Sequence, residues 1–133
     1  AKIVRVNANT VKAGRRACEE LLAQFPNLAG MACANDAGAI GAHAALRDAG
    51  LDGADFYLSG IDATPEAMRL IAAGGAYQAS VDLIPYENGA IDVGLAVKLI
   101  AGEKVPEAYA IPAELVTAAS LPAVPPACGG GVN

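Results

Sequence analysis

Leu28-Ala29-Gly30-Met31-Ala32-Cys33-Ala34 runs straight into Asn35-Asp36 and then into an alanine-rich stretch, Ala37-Gly38-Ala39-Ile40-Gly41-Ala42-His43-Ala44-Ala45-Leu46, which closes at Ala49-Gly50. In the first segment the apolar residues are consecutive rather than alternating. That pattern predicts a strand buried on both faces, as in the centre of a parallel sheet. Asn35-Asp36 stops it. The alanine-rich stretch reads as a helix to Ala49, with Gly50 at the position of a left-handed cap. Its small side chains allow close packing. A strand that feeds directly into a helix is the repeating unit of an α/β fold.

The same unit recurs on both sides. Lys2–Val6 is a short β-prone run, expected to be a strand, and Asn7-Ala8-Asn9-Thr10 turns out of it. From Lys12 to Phe25, Cys18, Leu21, Leu22 and Phe25 recur at helical spacing, and Pro26-Asn27 ends the helix. Ala54–Ser59 reads as another buried strand, followed by the tight turn Gly60-Ile61-Asp62-Ala63. Thr64-Pro65-Glu66 opens a helix with a hydroxyl cap, an early proline and an early carboxylate. Met68 and Ile71 are expected to face inward, and Gly74-Gly75 closes this helix. Tyr77–Leu83 is strand-like. After Pro85 a long helix runs from about Tyr86 to Ala101, with Ala90, Val93, Val97 and Ile100 on one face. Tyr109–Ile111 and Leu115–Thr117 are short extended pieces on either side of Pro112. The sum is an α/β layer structure with a mostly parallel sheet. Residues 118–133, with Pro122, Pro125, Pro126 and Gly129–Gly131, show no periodicity and read as a tail.

At 133 residues, 54% of them apolar, the chain is long enough for one domain with a real core. Nine basic residues against 14 acidic ones give a net charge of -5. So few scattered cations weigh against binding nucleic acid or an anionic membrane surface. No apolar run is long enough to cross a bilayer. Ala1-Lys2-Ile3-Val4-Arg5-Val6 lacks a signal-peptide core, and without an initiator Met the chain reads as a processed or truncated product. Cys18, Cys33 and Cys128 have neither a C-x-x-C arrangement nor metal-ligand spacing.

In open α/β sheets, ligands bind beyond the carboxyl ends of the strands. Asn7–Thr10, Asn35-Asp36, Asp62 and Asp82 fall there. An amide beside carboxylates offers fixed donors and acceptors for hydroxyls or an amine. The structural alternative makes Asp36 the cap of the helix beginning at Ala37 and Asp62 a brace for the turn before Thr64. Signals for catalysis are weak. His43, the single histidine, sits mid-helix with no partner evident. Cys33, between Ala32 and Ala34, reads as a buried thiol, and Cys18 as a core residue. Ser59-Gly60 lacks the G-x-S-x-G elbow, and neither G-x-G-x-x-G nor a Walker A run occurs. A metal at Asp36 and Asp62 carries little weight, and neither metal nor cofactor is expected.

Several stretches, in order and at similar spacing, resemble the type 1 periplasmic solute-binding proteins of the ribose and galactose class. Cys33–Ala42 resembles their "A-N-D-x-x-A-x-G-A" segment, and Ser59–Ala67 their "G-F-D-G-x-P-E-A" turn. Ile71–Gly74 is similar to "I-K-x-G", Ala79–Val81 to "A-T-V", Pro85–Gly89 to "P-Y-E-M-G", and Leu99–Pro106 to "L-L-K-G-E-K-V-P". The resemblance extends from Lys2 to about Thr117. It implies a three-layer α/β sandwich that is most of the carboxyl-terminal lobe of a two-lobed protein, residues 1–117, with 118–133 as tail. The amino-terminal lobe and the first strand–helix unit of the second lobe are absent from it. An uncovered sheet edge is therefore expected, together with a partner: the missing lobe as a separate piece, or a second copy.

The resemblance also implies roles. Asn35 and Asp62 take the places that hydrogen-bond ligand hydroxyls in the sugar binders. Asn9 and Leu83 fall at two further ligand-contact positions. Asn9 cannot stack on a sugar ring, and Leu83 is apolar where Gln or Asn is usual, so a smaller or less hydroxylated ligand is implied. The implied activity is binding a small polar solute, such as a sugar or polyol, between lobes in the periplasm, for delivery to a membrane permease. The alternatives are the core of a cytoplasmic sugar-responsive repressor and a small α/β enzyme. The enzyme would need a base near Cys33 or a metal at Asp36 and Asp62.

Overall fold

Caps in the sequence set where the helices start. The computed structural model describes residues 3–121. Thr10 Oγ1 accepts from the Ala13 N–H and starts α1, Val11–Gln24. Asn35 Oδ1 accepts from the Gly38 N–H and starts α2, Asp36–Asp48. Thr64 Oγ1 accepts from the Ala67 N–H and, with Pro65 in the first turn, starts α3, Pro65–Ala73. The strands are β1, Gly30–Ala32, β2, Tyr57–Ser59, and β3, Tyr77–Asp82; the long helix α4, Pro85–Ile100, precedes β4, Glu114–Thr117.

The sheet has the order β1-β2-β3-β4. β1 pairs parallel with β2, and β2 parallel with β3. β4 returns antiparallel, with Ala79 opposite Thr117 and Asp82 opposite Glu114. The mostly parallel α/β sheet expected from the sequence is therefore present, with one antiparallel edge. Leu46, Leu58, Ile71, Ala76 and Tyr77 form a buried core with Cys18 and with Ala39, Ala42 and Ala45 of α2. α1 packs chiefly on α2. A Cβ on Gly41 would overlap the Val11 carbonyl oxygen, so this residue sets how closely the two helices approach.

Four expectations need correction. The buried strand expected over Ala54–Ser59 is confined to Tyr57–Ser59, where Leu58 is buried but Tyr57 is exposed. Lys2–Val6 is not a strand over its described part. Ile3, Val4 and Val6 are 81%, 43% and 51% exposed, and a cleft of about 1020 Å³ separates this stretch from β1. Extended backbone becomes a strand only when a neighbour takes its hydrogen bonds, and among the described residues none does.

β1 is shorter than Leu28–Ala34 and is not covered on both faces: Gly30 and Met31 are half-buried and Ala32 is exposed. It is an edge. The Tyr57 N–H donates to the Ala29 carbonyl and the Cys33 N–H to the Ser59 carbonyl, so the odd-numbered residues of β1 face β2. Alternation then leaves the Gly30 and Ala32 peptide groups facing the cleft.

α4 has the predicted length, but its apolar face has nothing to pack on among the described residues. Val93, Val97 and Ile100 are 65%, 60% and 87% exposed. Tyr109–Ile111 forms no strand, whereas Leu115–Thr117 lies within β4. Of the tail, Leu121 packs against the core; residues 122–133, Cys128 among them, lie outside the described residues.

Candidate functional site

The carboxyl ends of the strands gather the polar residues. Asn35, directly after β1, uses both ends of its amide. Oδ1 caps α2, and Nδ2 donates to the Asn9 carbonyl at 2.9 Å. This bond holds the end of the amino-terminal segment against the start of α2. The Asp36 N–H donates to the Ile61 carbonyl at 2.7 Å, which seats the Asn35-Asp36 turn directly against the Ile61-Asp62 turn. Asp62 in turn donates its N–H to the Val81 carbonyl at the end of β3. The structure thus brings Asn9, Asn35 and Asp62 to one end of the sheet. Leu83 follows β3 at the same end and is 44% exposed; its carbonyl accepts from Asn88 Nδ2. No hydrogen bond joins Leu83 to the other three candidates.

The structural alternative for the two aspartates is corrected in an instructive way. Asn35, with extended backbone at φ -156°, is the cap, and Asp36 is the first residue of the helix. From there the Asp36 side chain turns inward, is fully buried, and accepts from the Thr64 N–H at 2.7 Å and the Thr64 hydroxyl at 3.0 Å. The brace of the turn before Thr64 is therefore Asp36. The Asp62 carboxylate is exposed and makes no hydrogen bond or ion pair among the described residues.

Asp36 also accepts from the Tyr77 hydroxyl at 2.8 Å and the Ser80 hydroxyl at 2.7 Å. Burial, and then the hydrogen bond to Asp36, push the Tyr77 hydroxyl well above the usual tyrosine range. Sequence reasoning missed Tyr77 and Ser80. A signal existed for Ser80: it stands between Ala79 and Val81 in a strand, and a buried hydroxyl needs a partner.

Of the groups a small enzyme would use, Cys33 is a half-buried free thiol and His43 is paired. Burial, and secondarily Asp36, push the Cys33 thiol up, the reverse of what activates a thiolate. His43 is 6% exposed, and its Nε2 lies 3.2 Å from Asp52 Oδ1, which also accepts from the Ala76 N–H. The histidine without an evident partner in the sequence is thus a paired core residue.

Chemically, the strand-end surface offers a free carboxylate at Asp62 and one unused N–H on Asn35 Nδ2, which has two donors and spends one on Asn9. An acceptor and a donor on adjoining turns suit hydroxyl or amine groups.

Residues 2–104 match the periplasmic binding protein domain family. This chain belongs to that family. Within it, the chain is similar to the putative rhizopine-binding protein of Rhizobium meliloti, 44% identical over 89 residues, which cover 65% of this chain and 28% of that protein. It is also similar to the ribose import binding protein of Salmonella typhimurium, 33% identical over 103 residues, 77% of this chain and 34% of that protein. Among solved structures, a periplasmic solute-binding protein of an ABC transporter from Actinobacillus succinogenes, with bound D-allose, superposes with a TM-score of 0.73. It is 29% identical, and the match covers 83% of this chain and 38% of that one. These relatives are binding proteins. The chain spans about a third of the length of the curated relatives it matches.

Proposed function

We propose that this chain supplies one wall of a ligand cleft in a periplasmic protein that binds a sugar, polyol or related small polar solute for ABC-type import. The observation that carries the reading is the pairing of two adjoining turns, tied by the Asp36 N–H on the Ile61 carbonyl: one carries Asp62, exposed and with an unengaged carboxylate, and the other Asn35, whose amide is fixed by its cap and by Asn9. A fixed donor and a free acceptor recognise neighbouring hydroxyls with little ordering cost on the protein side. Leu83 contributes an apolar surface, and Asn9 a polar one, to the same end of the sheet. The ligand is bound and released unchanged, and a permease receives it.

One wall does not enclose a ligand. The rest of the cleft comes from the remaining two thirds of a family chain. Two surfaces await it: the Gly30 and Ala32 peptide groups along the cleft beside β1, and the apolar face of α4. A thermal-shift screen of sugars and polyols on the full-length protein containing this chain tests the function. A rise in melting temperature with at least one such solute is expected. A folded full-length protein that responds to none contradicts it.

A further inference from the structure

The turn that carries Asp62 is strained. Asp62 has φ 111° and Ala63 φ 46°, two consecutive residues with side chains in backbone regions that favour glycine. Such a pair persists only where its surroundings over-determine it. Here three successive peptide N–H groups are each held by something specific. Asp62 donates to the Val81 carbonyl at 2.8 Å, Ala63 to Ser80 Oγ at 3.1 Å, and Thr64 to Asp36 Oδ2 at 2.7 Å. The Ser80 hydroxyl that holds Ala63 itself donates to Asp36 Oδ1 at 2.7 Å. Two of the three anchors therefore lead to one fully buried carboxylate, directly or through Ser80.

Asp36 is further fixed by Tyr77 and by its own N–H on the Ile61 carbonyl. The space around it is closed: a Cβ on Gly60 would overlap both Asp36 Oδ1 and the Tyr77 hydroxyl oxygen. Asp36 also follows Asn35 directly. One residue thus ties the start of α2, where Asn35 sits, to the turn where Asp62 sits.

We propose that Asp36 is the positioning residue of the ligand site. Buried out of reach of any solute, it holds the Asp62-Ala63 pair in its left-handed conformation and so aims the Asp62 carboxylate outward, beside Asn35. The ligand role of Asp62 rests on the function proposed above; the hold on the turn does not, and it is testable with no ligand present.

The test compares Asp36→Asn and Ser80→Ala with the unaltered 133-residue chain by backbone NMR and amide hydrogen exchange. The unaltered chain should show the strong intraresidue amide-to-Hα cross-peak of positive φ at Ala63, and slow exchange at Ala63 and Thr64. In Asp36→Asn, which keeps shape but loses charge, exchange at both amides should speed up by roughly tenfold or more, and the Ala63 cross-peak should weaken. The amides of α1 should be unchanged. Ser80→Ala leaves Asp36 in place and should release Ala63 while sparing Thr64. If Asp36→Asn fails to fold, the Ser80→Ala pattern alone decides. An unchanged turn in a folded Asp36→Asn chain, or unchanged Ala63 exchange in Ser80→Ala, overturns the proposal. Failure of the full-length protein to bind any solute, with the turn behaving as described, would instead count against the proposed function alone.

Discussion

Asn35 Nδ2 donates to the backbone carbonyl of Asn9 at 2.9 Å while Oδ1 of the same amide caps α2. One side chain thus joins two chain segments and starts a helix, and its orientation is determined before any ligand arrives.

Substituting Asn35 should separate these duties. Asn35→Asp keeps an acceptor for the Gly38 N–H but loses the donor to Asn9, and it places a second carboxylate next to Asp36. Asn35→Ala loses both bonds. Loss of a cap costs about 0.5–2 kcal/mol. Asn35→Ala should therefore be destabilised by about that amount or slightly more in urea unfolding. Stability unchanged in Asn35→Ala would contradict the cap.

The contact between α1 and α2 makes a second prediction. Because a Cβ on Gly41 would overlap the Val11 carbonyl oxygen, Gly41→Ala must push the helices apart. Overpacking of this kind costs about 1–3 kcal/mol, despite the better helix propensity of alanine. A Gly41→Ala chain as stable as the unaltered one in thermal unfolding would show that α1 sits further from α2.

Alkaline pH should weaken the fold. Burial, with smaller contributions from Cys33 and Glu19, pushes the Cys18 thiol from 9.0 to about 11. Above pH 9 the unfolded chain gives up a proton that the folded chain keeps. Stability present below pH 9 is therefore lost progressively up to about pH 11. Cys33 and Tyr77, also pushed up by burial, act in the same direction. Urea midpoints measured on either side of that window should fall with pH, and less steeply in Cys18→Ala. A flat profile would contradict the buried thiol.

The β1 edge and the α4 face should make the isolated chain associate. Their apolar residues and unpaired peptide groups are the features that drive edge-to-edge pairing. Light scattering at micromolar concentration should show species larger than a monomer. Ala32→Pro, which removes a peptide N–H from the open edge, should reduce them. A clean monomer in the unaltered chain would contradict the exposed edge.

Much of the fold was legible because α1 and α4 carry a helical period and α3 opens on a hydroxyl cap followed by proline. The sequence places the second helix at Ala37–Ala49, and the structure at Asp36–Asp48. What was not legible depends on neighbours. Lys2–Val6 has the composition of a strand, yet β structure is a property of pairs, and its described part pairs with no strand among the described residues. The stripe Val93-Val97-Ile100 says that α4 has an apolar face but not what covers it. At the site, Asn35 and Asp62 stood out as polar residues at strand ends. The division of labour between Asn35 and Asp36 did not, since it turns on a shift of one residue at the helix start. Nor did the reach of Asp36 to Ser80, 44 residues away.

Isothermal titration of the full-length protein and its Asp62→Ala variant, with whichever sugar or polyol raises the melting temperature, decides whether these turns form a ligand site. The Asp62 side chain makes no hydrogen bond among the described residues, so the variant should stay folded and lose no more than about 1 kcal/mol of stability, from alanine at a positive φ. It should lose about 2–5 kcal/mol of binding free energy, because a buried ligand hydroxyl or amine loses its charged partner. Equal affinity in the two proteins, at equal stability, would remove Asp62 from the site and contradict the proposed function.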